Sequence, residues 1–244
     1  MICNRTETGW EVIYQRAHAL LAAHLVLHWK ASERPERWMA TLSAVAQHDN
    51  GWQEWEPGER LTPVGTPRDF TETPPKDLVA QSERALLRAW HQSLWEGLLV
   101  SRHFSHLYEP MREASSELAA FLDTLPDQRR RWRKTLDVKK KDVDAAYALV
   151  HWADTFSLAL CQHKLPKDER ALEIGAGPDG TRYDVRQNSE SIIQVTPWPY
   201  EADVFEVEIE RYLLDELTFE NDEALSEALH GAKADPLRWT LRRA

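Results

Sequence analysis

Apolar positions recur at helical spacing through Leu21, Ala22, Leu25 and Trp29, which predicts a helix from about Gln15 to Lys30. A second helix is predicted from Pro35 to His48, and further ones over about 77–108, 110–123, 126–136 and 140–163. Pro57, Pro63, Pro67, Pro74 and Pro75 make residues 56–77 a long ordered loop rather than a helix. After Pro166 the pattern changes. Ala171–Ile174, Arg182–Arg186, Ser191–Thr196 and Val204–Ile209 read as short strands. Asn221–His230 reads as a short helix with Asp222 and Glu223 near its start. At the other end, Ile2–Asn4 and Trp10–Tyr14 flank a turn containing Gly9, as in a β-hairpin. A lone hairpin is not stable in water, so it is expected to join the C-terminal strands. The expected fold is α+β but mainly α: one domain over 1–244, with a helical core at about 15–165 and a small antiparallel sheet from 1–14 and 170–244.

Several polar residues interrupt the apolar faces. His18 lies within the stripe formed by Ala22, Leu25 and Trp29. His48 and Asp49 straddle the apolar side of the second helix. His103 shares a face with Leu99, Val100 and Leu107, with His106 on the same side. Asp154 is centred among Tyr147, Val150, Leu158 and Cys161. Each has a plain alternative: a core His bonded to a carbonyl, a helix end with Asp49-Asn50-Gly51 as an ordinary turn, solvent contact for His106, or an Arg partner for Asp154. Taken together, four helices each offer a His or Asp on the face they should turn toward one another. A buried carboxylate needs a cation or several donors. Imidazole with carboxylate suits Fe, Mn, Zn or Ni better than Mg or Ca.

Composition narrows the partners. The chain has 244 residues, 42% of them hydrophobic, enough for a substantial core. Its eleven Trp must be buried or used for binding. A formal charge of −10 argues against nucleic acid and an anionic membrane surface as partners, leaving a small-molecule substrate. Two cysteines are too few for a disulfide framework. Met1-Ile2-Cys3-Asn4 has no basic region leading into an apolar run, and no stretch of about 18 apolar residues occurs, so a soluble cytoplasmic protein is expected.

The stretches Gln15–Leu25, Ala46–Glu56, Asp69–Glu72, Leu98–Tyr108 and Trp152–Cys161, with the motif Ala-x-His-Asp-x-Gly-Trp at 46–52, resemble an uncharacterised bacterial family of unknown function. More distantly, the order His…His-Asp…Asp on successive helices resembles the metal-dependent HD-domain superfamily. That resemblance implies an HD-like helical bundle in which His18, His48, Asp49 and Asp154 hold a metal and His103 holds a second. His48 and Asp49 would be the catalytic pair. The implied function is metal-dependent hydrolysis of a phosphoester. An iron-dependent oxygenase and a non-catalytic binding or structural protein are the alternatives. Where many HD enzymes carry a Lys after the His-Asp pair, this chain has Trp52. Substrate binding is therefore assigned to Trp52, Phe70 and Arg102, with Arg16 or Arg102 as the source of positive charge. The loop at 56–77 is expected to pack beside the cleft through Phe70, near Trp52 and Trp55.

Three other features have plainer readings. Gly175-Ala176-Gly177-Pro178-Asp179-Gly180 has no following helix and reads as a turn between strands rather than a dinucleotide loop. The basic runs Arg129–Lys134 and Lys139–Lys141 read as solvated helix surface. Trp52, Trp55, Phe70 and Trp90 either line a pocket or pack under the long loop.

Overall fold

A computed structural model describes residues 1–54, 58, 60–166, 168 and 170–244. The chain begins with the hairpin of β1 (Ile2–Arg5) and β2 (Trp10–Ile13), paired from Ile2↔Ile13 to Arg5↔Trp10. Gly9 is required at its turn, because a Cβ there would lie 1.9 Å from the carbonyl oxygen of Leu214 on the neighbouring strand. The helices α1 (Gln15–Leu27) and α2 (Trp38–Gln47) follow. Among its described residues the long loop after them contains one 3-10 turn, Phe70–Glu72.

Two helix boundaries differ from the sequence reading. The stretch expected as one helix over 77–108 is two, α3 (Pro75–Gln92) and α4 (Leu94–Tyr108). Ser93 between them is extended (φ −164°, ψ 155°), and its hydroxyl accepts from Glu96 N at 3.1 Å, starting the second helix. Conversely, the two helices expected over 110–123 and 126–136 are one, α5 (Ser116–Leu136), which runs through Pro126. The last long helix is α6 (Lys140–Cys161).

The expected small antiparallel sheet beside an HD-like helical bundle is not what forms. Strands β3 (Leu172–Ala176), β4 (Arg182–Gln187), β5 (Ile193–Thr196) and β6 (Val204–Leu214), helix α7 (Asp222–Gly231) and strand β7 (Ala234–Arg242) complete the chain. With the hairpin they make a seven-stranded mixed sheet curved into a half-barrel, in the order β1-β2-β6-β7-β5-β4-β3. The sequence reading ended its strands at Ile209 and assigned none after α7. Yet β7 is the central strand: it pairs with β6 antiparallel from Val204↔Arg242 to Tyr212↔Ala234, and with β5 parallel at Ile193↔Leu241. Pro236 is tolerated because β5 pairs only with the far end of β7, so that part of the strand needs no N–H on its second side.

The sheet holds the helices on its apolar face. Along β6, Phe205, Val207 and Ile209 are buried while Glu206, Glu208 and Glu210 are exposed, the period-two pattern of a one-sided sheet. Helix α1 packs on β6 and α6 on β3. Trp29, Trp152, Tyr183 and Tyr200 interlock between them, with ring centroids 5.0–6.4 Å apart. Much of the aromatic content is therefore core. Among the described residues no helix is long and apolar enough to cross a membrane.

Candidate metal centre

The turn after α2 fixes the His-Asp pair. Trp52 N donates to Asp49 O, and Asn50 N to Gln47 O, closing the chain on itself. Helix α3 then clamps the turn: Arg88 donates to Asn50 O and Arg84 Nε to Gly51 O, the latter at 3.0 Å. Gly51 is needed at this contact, since a Cβ there would sit 1.9 Å from the carbonyl oxygen of Gln81. Gly51→Ala is expected to force the turn off α3, with an overpacking cost of about 1–3 kcal/mol. A calorimetric melt and a metal-binding isotherm check this, both showing a loss.

Helices α1, α2, α4 and α6 bring His18, His48, Asp49, His103 and Asp154 to one place. They are 0%, 0%, 9%, 1% and 5% exposed. His18 Nε2 lies 2.9 Å from Asp49 Oδ2 and 3.9 Å from Asp154 Oδ1. His48 Nε2 lies 3.3 Å from Asp154 Oδ1 and 3.7 Å from Asp49 Oδ2. His103 Nε2 faces the other oxygen of Asp154, Oδ2, at 4.0 Å. Four donor atoms around one ion at about 2.1 Å would stand roughly 3.4 Å apart in a tetrahedral site, so the spacing fits. Two overlapping groups, His18-His48-Asp49 and His48-His103-Asp154, could each hold a metal ion.

The outer contacts decide what the ring nitrogens offer. His48 Nδ1 lies 2.7 Å from the carbonyl oxygen of Val45, which only accepts, so Nδ1 carries the proton. Ser157 Oγ donates to the carbonyl of Asp154, and so accepts from His18 Nδ1 at 3.0 Å. In their neutral forms both rings therefore aim a lone pair from Nε2 at carboxylate oxygens. Among the described residues His48 Nε2 makes no well-directed hydrogen bond, and the group it faces most closely is the Asp154 carboxylate at 3.3 Å. A lone pair facing an anion in a buried site calls for a cation between them, either a proton or a metal ion.

Without a metal the proton fills this place. Burial alone would lower the His48 pKa, but Asp49 and Asp154 overcome it and raise the pKa to about 9. Burial would raise Asp154, yet His48, His103 and His18 hold it well below the usual carboxylate range, and Asp49 is lowered in the same way. Burial takes His103 down to about 3, so its ring is neutral.

The centre opens on one side. Asp49, His103 and Asp154 line a cavity of about 250 Å³. Its other walls are mostly apolar and include Trp52, Phe70, Leu78, Leu107 and Leu158. The long loop reaches this cavity through Phe70, Thr71 and Thr73, and is pinned to β1 by Cys3 N donating to Asp69 Oδ2 at 3.0 Å. Trp55 lies outside the described residues.

Other residues singled out in the sequence stand elsewhere. Arg102 does not line the cavity: its guanidinium lies 4.9 Å over the Tyr147 ring and 3.8 Å from Asp144, in a basic groove with Arg129, Arg133 and Lys140. Arg16 lines a different pocket, on the outer face of α1. The His106 ring packs against His151 at 4.2 Å and is in neither donor group. Trp90 lines a separate groove with Trp132. Gly175–Gly180 covers the end of β3 and the turn into β4, which is closed by Gly177 N donating to Thr181 O. Sequence reasoning passed over Gln15 and Ser157. Each is three residues from a donor on the same helix, Gln15 before His18 and Ser157 after Asp154, so following each helix one turn further would have found them.

A curved mixed sheet cradling helices that enclose a His/Asp cluster defines an α+β protein whose buried groups could hold a metal ion. The chain belongs to the family described as "Protein of unknown function (DUF3891)", which matches residues 1–216. No curated protein and no solved structure matches it significantly. Membership of an uncharacterised family of unknown function is thus as expected, while the match carries neither the motif at 46–52 nor a link to the HD-domain superfamily.

Proposed function

We propose that this protein is a metal-dependent hydrolase of a small substrate. The observation that carries the reading is that the Nε2 lone pairs of His18 and His48 are aimed at two carboxylates, Asp49 and Asp154, which themselves line a cavity large enough for a small ligand. A bound divalent ion would lower the pKa of a water molecule and neutralise charge developing on the scissile group. The chain's part is to hold that ion. Asp49 and Asp154 balance its charge, while the Val45 carbonyl and Ser157 fix the ring tautomers. His48 and Asp49, expected as the catalytic pair, act through the ion they hold. His103 offers a lone pair from the cavity wall.

The cavity also bears on the substrate. Among the described residues no Lys or Arg lines it, so the anionic group of a phosphoester would meet no protein cation there. This favours a phosphodiester or a carboxylic ester or amide over a dianionic phosphomonoester. At about 250 Å³ the cavity is smaller than the roughly 300–1,000 Å³ of sites for drug-sized ligands. The apolar walls also suit a second reading, iron-dependent oxygenation, which the same donor set supports.

The test uses untagged protein loaded with Mn²⁺, Zn²⁺ or Fe²⁺ and three chromogenic substrates: bis(p-nitrophenyl) phosphate, p-nitrophenyl phosphate and p-nitrophenyl acetate. Turnover of the diester or the acetate is expected, with the monoester slowest. His48→Ala should lose the activity while keeping its circular dichroism spectrum. No turnover above the His48→Ala protein refutes the hydrolase; oxygen uptake by the iron-loaded form with a small organic substrate then favours the oxygenase.

A further inference from the structure

Gln15 begins α1, one turn before His18. Its side chain is fully buried and lines the metal-side cavity together with Asp49, His103 and Asp154. Its backbone is satisfied, the N–H donating to both carboxylate oxygens of Glu54 at 3.0 Å. The carboxamide is not: among the described residues neither Nε2 nor Oε1 has a hydrogen-bond partner. A third polar atom on the same cavity, the indole Nε1 of Trp52, is also buried and has no partner among the described residues. Buried polar groups in folded proteins are overwhelmingly paired, and an unpaired one is destabilising. A buried carboxamide without a described partner, in the wall of a mostly apolar cavity, is a group that an entering ligand can pair.

The chemistry of that partner follows from what is unpaired. Oε1 requires a donor and Nε2 requires an acceptor, side by side. A carboxylate would present two acceptors and a negative charge beside Asp49 and Asp154, with no described Lys or Arg on the wall to offset it. A purely apolar molecule would leave all three polar atoms unpaired. We infer that the cavity takes a small neutral ligand with an amide-type edge, one N–H beside one C=O, and that Gln15 is the residue that selects it. The inference rests on the reading of this cavity as the substrate site of a metal-dependent hydrolase, and narrows that substrate to amide, lactam or similar heterocyclic compounds. Trp52 Nε1–H supplies a further donor for the ligand's oxygen.

The probes are δ-valerolactam, which carries the N–H and C=O on one edge, and cyclohexanone, a ring of the same size without the N–H. Each is titrated into zinc-loaded and metal-free protein and followed by NMR chemical shifts. The wild type is expected to bind the lactam about tenfold more tightly than the ketone, because rejecting a ligand that leaves a buried site group unpaired is the strong form of discrimination. In Gln15→Leu the two affinities should become equal, with zinc stoichiometry unchanged. Gln15→Met, unbranched and closer in shape, gives the same reading should the Leu variant not fold. Equal affinities in the wild type, a preference that survives in the variant, or no binding of either probe overturns the inference; equal affinities would mean that water alone satisfies the carboxamide. The readout is binding, not turnover. A hydrolase reading that fails in the chromogenic assay leaves the lactam preference standing, and the reverse also holds.

Discussion

Asp154→Ala is expected to lower metal affinity by more than about 100-fold, since losing an outer partner of a ligand already costs about 10–100-fold. Asp154 is the hub of the cluster. One oxygen faces His18 and His48 and the other faces His103, so the group His48-His103-Asp154 loses a member and His18 and His48 lose one of the two carboxylates they face. The metal-free protein should also be less stable, by about 3–5 kcal/mol, the usual result of removing one member of a buried ion pair. The cause is His48, whose ring keeps its proton through Asp49 and Asp154 together. With Asp154 gone it must either stay charged with half its compensation or become neutral and leave Nε2 facing Asp49. Metal analysis of the purified variant, alongside a denaturant melt of the metal-free form, reads both effects. Wild-type metal content in the variant would show that Asp154 is no ligand.

The second large effect is on pH dependence. In the metal-free protein His48 has a pKa of about 9, against an ordinary value of 6.5. A folded-state pKa raised above the unfolded one stabilises the fold fully below about 6.5, and this contribution is lost as pH rises through 9. Metal binding runs the other way. The ion needs the Nε2 lone pair, so it must displace that proton, and apparent affinity should rise about tenfold per pH unit from 7 toward 9 before levelling off. The carboxylates do not add to this, because both are held below their usual range and are already ionised. Nor does His103, neutral above about 3. Titration calorimetry at pH 7.5 in buffers of different ionisation enthalpy should therefore report close to one proton released per ion bound at the first site. No released proton would mean that metal does not replace the proton on His48.

The residues of the His/Asp cluster were legible because polar groups on apolar faces are costly, and helical periodicity exposes them. His18, His48 and Asp154 each broke a stripe that was otherwise core. What stands behind them was not legible. The Val45 carbonyl that fixes the His48 tautomer is a backbone group with no sequence signature, and Ser157 looks like any small helical residue. Gln15 carried its meaning only once its carboxamide was found without a partner. Arg102 shows the opposite error. It precedes His103 in sequence, but consecutive residues on a helix point about 100° apart, so its guanidinium lies over Tyr147 on the outer side.

By itself the sequence determined the hairpin, the helices α1, α2, α6 and α7 and the places of strands β3 to β6, since each follows from local periodicity and turn chemistry. It also determined which faces carry the unpaired polar groups. Only the tertiary structure decided that Ser93 divides one helical stretch, that α5 continues through Pro126, and that β7 sits in the middle of a seven-stranded mixed sheet. The physical reason is range. A helix or hairpin is stabilised by neighbours a few residues away, and these can be read along the chain. Strand order is settled by pairing partners such as Trp10 with Leu214, or Ile193 with Leu241, and by the core that the curved sheet must close around α1 and α6. The same long-range packing set the Nε2 atoms of His18 and His48 against Asp49 and Asp154, turning polar positions on separate helices into a centre that could hold a metal ion.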